Sequence, residues 1–157
     1  MTYHETIIDL IYHILSQGKE YLNMIDTRNA YDKLLRNYHQ VNAAGQVVYR
    51  NNRAKEFYRF SQAAWKLGNV KKCYYEHLVP VKLMKGKLAE LIEENKVSKN
   101  TIAAILNSNE IVVITKEEAN KIDKNHKTEL PESGKDRLME YDIPIELETE
   151  RNSIFKL

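Results

Sequence analysis

The chain has 157 residues, 43% hydrophobic and 29% charged, with five glycines and three prolines. That is enough for one real hydrophobic core without disulfides, and it excludes disordered, collagen-like and low-complexity classes. The longest apolar runs, such as Ile111 to Ile114, are a handful of residues against the ~20 that a membrane-crossing helix needs, so no membrane partner is expected. A single cysteine, Cys73, allows no internal disulfide, and the first residues show no basic stretch leading into an apolar one; together these point to a cytoplasmic protein. The net charge of +2 hides an asymmetry of +5 over residues 1–75 against −3 over 76–157.

The first expected helix covers 5–17, where Ile7, Ile8, Ile11, Ile14 and Leu15 share one face and Gly18 stops the run. A second covers 28–40 behind the cap candidate Thr27, with Tyr31, Leu34, Leu35 and Tyr38 on its apolar side. A third is expected over 52–67 and closed by Gly68, with Ala54, Phe57, Tyr58, Ala64 and Trp65 on one face and Lys55, Arg59, Gln62 and Lys66 on the other. This helix lies in the most basic part of the chain. Between residues 42 and 75 stand Arg50, Arg53, Lys55, Arg59, Lys66, Lys71 and Lys72 against the single acid Glu56, a composition suited to a polyanion.

Residues 73–81 read as extended chain, because Tyr74 and Tyr75 favour strand and Pro80 keeps its predecessor out of the helical region. Cys73, in this aromatic setting, is expected to be an inert core thiol. Helices follow over 82–94 and, behind the cap Ser98, over 100–106. The run Ile111 to Ile114 is the clearest strand, and Thr115 with Glu118 forms a capping box that opens a helix to about residue 124. A short helix near 136–141 and an edge strand over 143–147, kept from a central place by Pro144, complete the chain. The fold class is therefore α+β and predominantly helical. It is read as one domain over 1–157, helical over 1–72 and basic toward the end of that stretch, with an acidic extension over 125–157.

No Gly-rich phosphate loop, G-x-S-x-G, C-x-x-C or H-E-x-x-H motif is present. The informative stretch is Glu76-His77-Leu78-Val79-Pro80, followed by Asn109-Glu110, the strand Ile111 to Ile114, and Thr115-Lys116-Glu117-Glu118 at a helix start. It resembles the HNH family of metal-dependent nucleases. The resemblance covers residues 74–123 and implies a small ββα-metal unit over 73–124, with short strands near 73–79 and 110–114 and a helix over 116–124, on which the N-terminal helices would pack. It implies an endonuclease that hydrolyses phosphodiester bonds, with DNA the first choice of substrate, and one divalent ion, Mg2+ or Mn2+, as cofactor.

In that scheme His77 is the general base, since an imidazole titrates near neutral pH, and Asn109 is its catalytic partner, or Glu110 serves in that register. Glu76, Asn120 and Asp123 are the candidate metal ligands, because hard oxygen donors suit such ions; Ala119 stands where the family carries a ligating side chain. The seven bases from Arg50 to Lys72 are the candidate nucleic-acid contacts, and a homodimer is allowed. Two other classes stay open. One is a catalytically inactive HNH-like protein of phage or bacterial defence origin that binds nucleic acid or regulates a nuclease; the other is a helical protein-interaction module.

Overall fold

A computed structural model describes residues 1–146 of the chain. In chain order its elements are α1 (Tyr3–Ser16), α2 (Lys19–Asn23), α3 (Ile25–Tyr38), α4 (Ala54–Phe57), β1 (Arg59–Phe60) and α5 (Gln62–Leu67). There follow β2 (Tyr74–His77), α6 (Val81–Glu93), α7 (Lys99–Asn107), β3 (Ile111–Ile114), α8 (Lys116–His126) and α9 (Arg137–Glu140). The fold is α+β and predominantly helical. The described chain divides into two compact units, each built from two separate stretches: residues 1–47 with 81–109, and residues 48–80 with 110–146. These divisions fall elsewhere than the expected ones at 72 and 124.

The first unit is all helical apart from one isolated bridge, Val41 to Val47. α1 starts at Tyr3, earlier than expected, because the Thr2 hydroxyl accepts from the Glu5 N–H and the Glu5 carboxylate accepts from the Thr2 N–H, which satisfies two otherwise orphan donors of the first turn. α3 starts at Ile25 with Met24 in the cap position and no side-chain cap, so Thr27 lies inside the helix. α7 opens on Ser98 as expected, in a box with Thr101. Ile7, Ile11, Leu15, Leu35, Met84, Leu88, Ile102 and Leu106 are all at most 2% exposed and pack together with Tyr31 and Tyr38; burying each aliphatic side chain contributes about 1.5–3 kcal/mol.

The second unit holds a mixed sheet of order β1-β3-β2. β2 runs antiparallel to β3, pairing Tyr75 with Val113 and His77 with Ile111, while β1 runs parallel to β3 and pairs Phe60 with Val113. As the central strand, β3 is covered on both faces, which is why four consecutive apolar residues suit it. Ile111 and Val113 pack with Val48, Ala54, Tyr58, Phe60, Ala64, Val70 and Cys73. Val112 and Ile114 pack with Ala119 and Ile122 of α8, Leu138 of α9 and Ile143. The expected strand at 143–147 is reduced to one antiparallel bridge between Ile145 and Ser61, and Leu147 lies outside the described residues.

The expected helix over 52–67 is broken into α4, β1 and α5. Tyr58 is extended, and Ser61 is extended too and caps α5. Long-range partners explain the break: the Phe60 N–H donates to the Glu146 carboxylate at 2.6 Å, the Ser61 N–H to the Val113 carbonyl at 2.8 Å, and the Ser61 hydroxyl to Glu118 Oε2 at 2.6 Å. A single helix would forfeit all three. Lys55, Arg59 and Lys66 therefore do not form one helical face, and Phe57, expected in the core, is 37% exposed.

Candidate functional site

β2, β3 and α8 make the frame to which the sequence resemblance pointed, strand against antiparallel strand and then a helix. The Thr115 hydroxyl accepts from the Glu118 N–H, and Glu118 Oε2 accepts from the Thr115 N–H at 2.8 Å, so α8 begins directly at the end of β3. Glu118 is 8% exposed and also accepts from Ser61. Its carboxylate thus joins the helix start to the cap of α5. Glu118→Ala should lower stability by about 2 kcal/mol, because it strands a buried N–H and hydroxyl, whereas Glu117→Ala at an exposed position should stay within about 0.5 kcal/mol; urea titration of the two variants checks this.

Glu76 and His77 end β2, as expected, but Glu76 is engaged. Its Oε1 lies 2.5 Å from the guanidinium of Arg137, a side chain only 1% exposed. Arg137 also donates through Nη2 to the His77 carbonyl and through Nη1 to the carbonyls of His126 at 3.0 Å and Lys127 at 3.3 Å. It thereby caps the C-terminal end of α8 with positive charge, where the helix dipole favours it, and ties that end to β2. Burial pushes the Glu76 carboxyl above its ordinary range and outweighs the Arg137 guanidinium beside it; the charge of Asp123 pushes the same way as burial.

The other expected ligands and partners are dispersed. Ala119 is 2% exposed and belongs to the α8 face packed on Val112 and Ile114. Asn120 and Asp123 are exposed on α8. Asn109 is 6% exposed, lies in the all-helical unit, and its side-chain amide is 3.8 Å from Met84 Sδ. Glu110 takes two hydrogen bonds from Arg59, one from Nε at 3.0 Å and one from Nη2. Among the described residues no group of three or more His, Cys, Asp and Glu side chains is arranged to hold a metal ion. Of the residues expected to bind Mg2+ or Mn2+, Glu76 has a buried guanidinium as its counter-charge. His77 is part-buried, with its Nε2 inside the fold.

The basic residues remain in one unit but differ in availability. Arg50, Arg53, Lys66, Lys71 and Lys72 are exposed. The Lys55 ammonium stands 5.4 Å from the centre of the Trp65 ring, and Arg59 is paired with Glu110. Cys73 is buried and its thiol donates to the Asn69 carbonyl at 3.3 Å; burial pushes that thiol upward, as an inert core cysteine requires. The residue that sequence reasoning missed is Arg137. Its neighbours gave no signal beyond a short helix near 136–141, and its ion-pair partner lies in β2.

No protein-family model, curated protein or solved structure matches this chain. No helix among the described residues is long and apolar enough to cross a membrane.

Proposed function

We propose that the protein is a cytoplasmic nucleic-acid-binding protein built on an HNH-like ββα unit that binds without hydrolysing. The observation that carries this reading is the Arg137–Glu76 pair: a buried guanidinium holds the strand carboxylate and the end of α8 together, in a unit whose exposed bases Arg50, Arg53, Lys66, Lys71 and Lys72 suit phosphate. DNA is the first ligand to test, with regulation of a nuclease in phage or bacterial defence as the setting.

A second reading, an HNH-type endonuclease with His77 as base and Mg2+ or Mn2+ as cofactor, is favoured by one observation: Glu76 and His77 end a strand that runs antiparallel to β3, with α8 following directly. The two readings part in one experiment. Supercoiled plasmid is incubated with the protein and Mg2+, Mn2+ or EDTA, and binding of a labelled duplex is measured alongside. The binding reading expects a retarded, uncut duplex whose affinity EDTA leaves unchanged. Nicking that needs the metal and is lost in His77→Ala, with the melting temperature kept, would establish the endonuclease. Absence of binding at low salt would leave the helical protein-interaction module.

A further inference from the structure

The covered face of the sheet opposite α8 carries a run of aromatic rings that leads to an arginine. Phe57 and Tyr58 are 5.2 Å apart between ring centres, Tyr58 and Tyr75 5.5 Å, and Tyr75 and Tyr49 4.6 Å. The Arg50 guanidinium then lies 5.1 Å from the centre of the Tyr49 ring. Tyr58 is 3% exposed and anchors the run, whereas Tyr49 is half-buried and Phe57 is 37% exposed.

Arg50 has φ of 55°, a left-handed conformation that costs a residue with a Cβ about 1 kcal/mol or more. The Tyr75 hydroxyl donates to the Val70 carbonyl at 3.0 Å and neighbours the Arg50 backbone. A surface arginine in a strained backbone beside a ring network anchored by Tyr58, where glycine would be less strained, is a side chain placed for contact. The next residues beyond Val70 are the exposed Lys71 and Lys72, so phosphate-seeking charge follows directly on the residue that the Tyr75 hydroxyl binds.

We propose that Tyr49 and Arg50, together with Lys71 and Lys72, form a docking surface for single-stranded nucleic acid. This rests on the nucleic-acid reading above and narrows it. In a duplex the base faces are already stacked on one another, so a protein ring gains nothing from them. An unpaired strand offers a free π-face to Tyr49 while its phosphates reach the guanidinium and the lysines.

The test is fluorescence anisotropy with labelled oligothymidylate and with a duplex of equal length, at about 50 and 200 mM salt. The proteins are wild type, Tyr49→Leu, Tyr49→Phe and Arg50→Gly. Wild type should prefer the single strand. Tyr49→Leu should weaken single-strand binding roughly tenfold, within the range measured for base–aromatic stacking, and leave duplex binding within about twofold, while Tyr49→Phe keeps the ring and restores the wild-type value. Arg50→Gly should hold or raise the melting temperature, because glycine suits the left-handed backbone, yet reduce the single-strand salt slope by about 0.7. Wild type that binds duplex at least as tightly as single strand, or a Tyr49→Leu or Arg50→Gly protein that binds single strand like wild type, overturns this inference and leaves the binding reading standing. Wild type that binds neither probe at low salt overturns the binding reading itself.

Discussion

Arg137→Met should destabilise the protein by about 3–5 kcal/mol at neutral pH, since removing one partner leaves a buried carboxylate without its counter-charge. Arg137 is 1% exposed and Glu76 20%, so solvent does little to screen the loss. The backbone carbonyls of His77, His126 and Lys127 lose their donor in the same step. Pairing Arg137→Met with Glu76→Gln should recover much of the stability, because the charge that had become unpaired is gone.

The pH dependence has a definite sign. Glu76 in the folded protein titrates above its ordinary value of 4.5, so the folded state holds the proton more tightly than the unfolded one. Stability from this group is fully present below about pH 4.5 and is lost as pH rises through the raised folded value. Without Arg137 that value moves higher still, so Arg137→Met should be least harmful near pH 4 and most harmful near pH 7. Urea denaturation at both pH values measures it; an equal penalty at the two would show that the missing packing and carbonyl hydrogen bonds, not the stranded carboxylate, account for the effect.

Changing Arg53, Lys71 and Lys72 together to Glu should weaken nucleic-acid binding on the order of a hundredfold at low salt, taking about 1 kcal/mol for each exposed charge reversed. The slope of log affinity against log salt should become shallower by about 0.9 for each duplex phosphate that is no longer neutralised. All three side chains are exposed, so the melting temperature should hold. Arg59→Glu is the informative contrast. It would set a carboxylate against Glu110, which now accepts two hydrogen bonds from Arg59, and should cost stability as well as binding. Binding by the triple variant that matches wild type in strength and slope would remove these residues from the interface.

Much of the local structure was legible because its causes lie within a few residues. The cap at Ser98, the capping box at Thr115, the glycine at position 68 in the left-handed region, and the apolar run of β3 each state their role within one turn or one strand. The stretch from Arg50 to Lys72 declared a basic surface in the same way, since charge composition survives any error in secondary structure. The Glu76-His77 strand and the Thr115 helix start were also readable, and the structure brings their strands together in an antiparallel pair.

Features whose cause lies far along the chain were not legible. Residues 54–67 have a good helical pattern, yet β3, Glu118 and Glu146 supply hydrogen bonds that divide them into helix, strand and helix. The candidate ligand Glu76 was correctly placed on its strand, but its availability was decided by Arg137, 61 positions later. Asn109 and Glu110 are adjacent, yet the boundary between the two compact units falls between them. The sequence by itself determined the caps, the central strand, the helical content and the sign of the charged surface, because these follow from local sterics, periodicity and composition. Only the tertiary structure decided which carboxylates are neutralised and which bases stay exposed, because ion pairing under burial depends on partners that the chain brings together through folding and that no local pattern records.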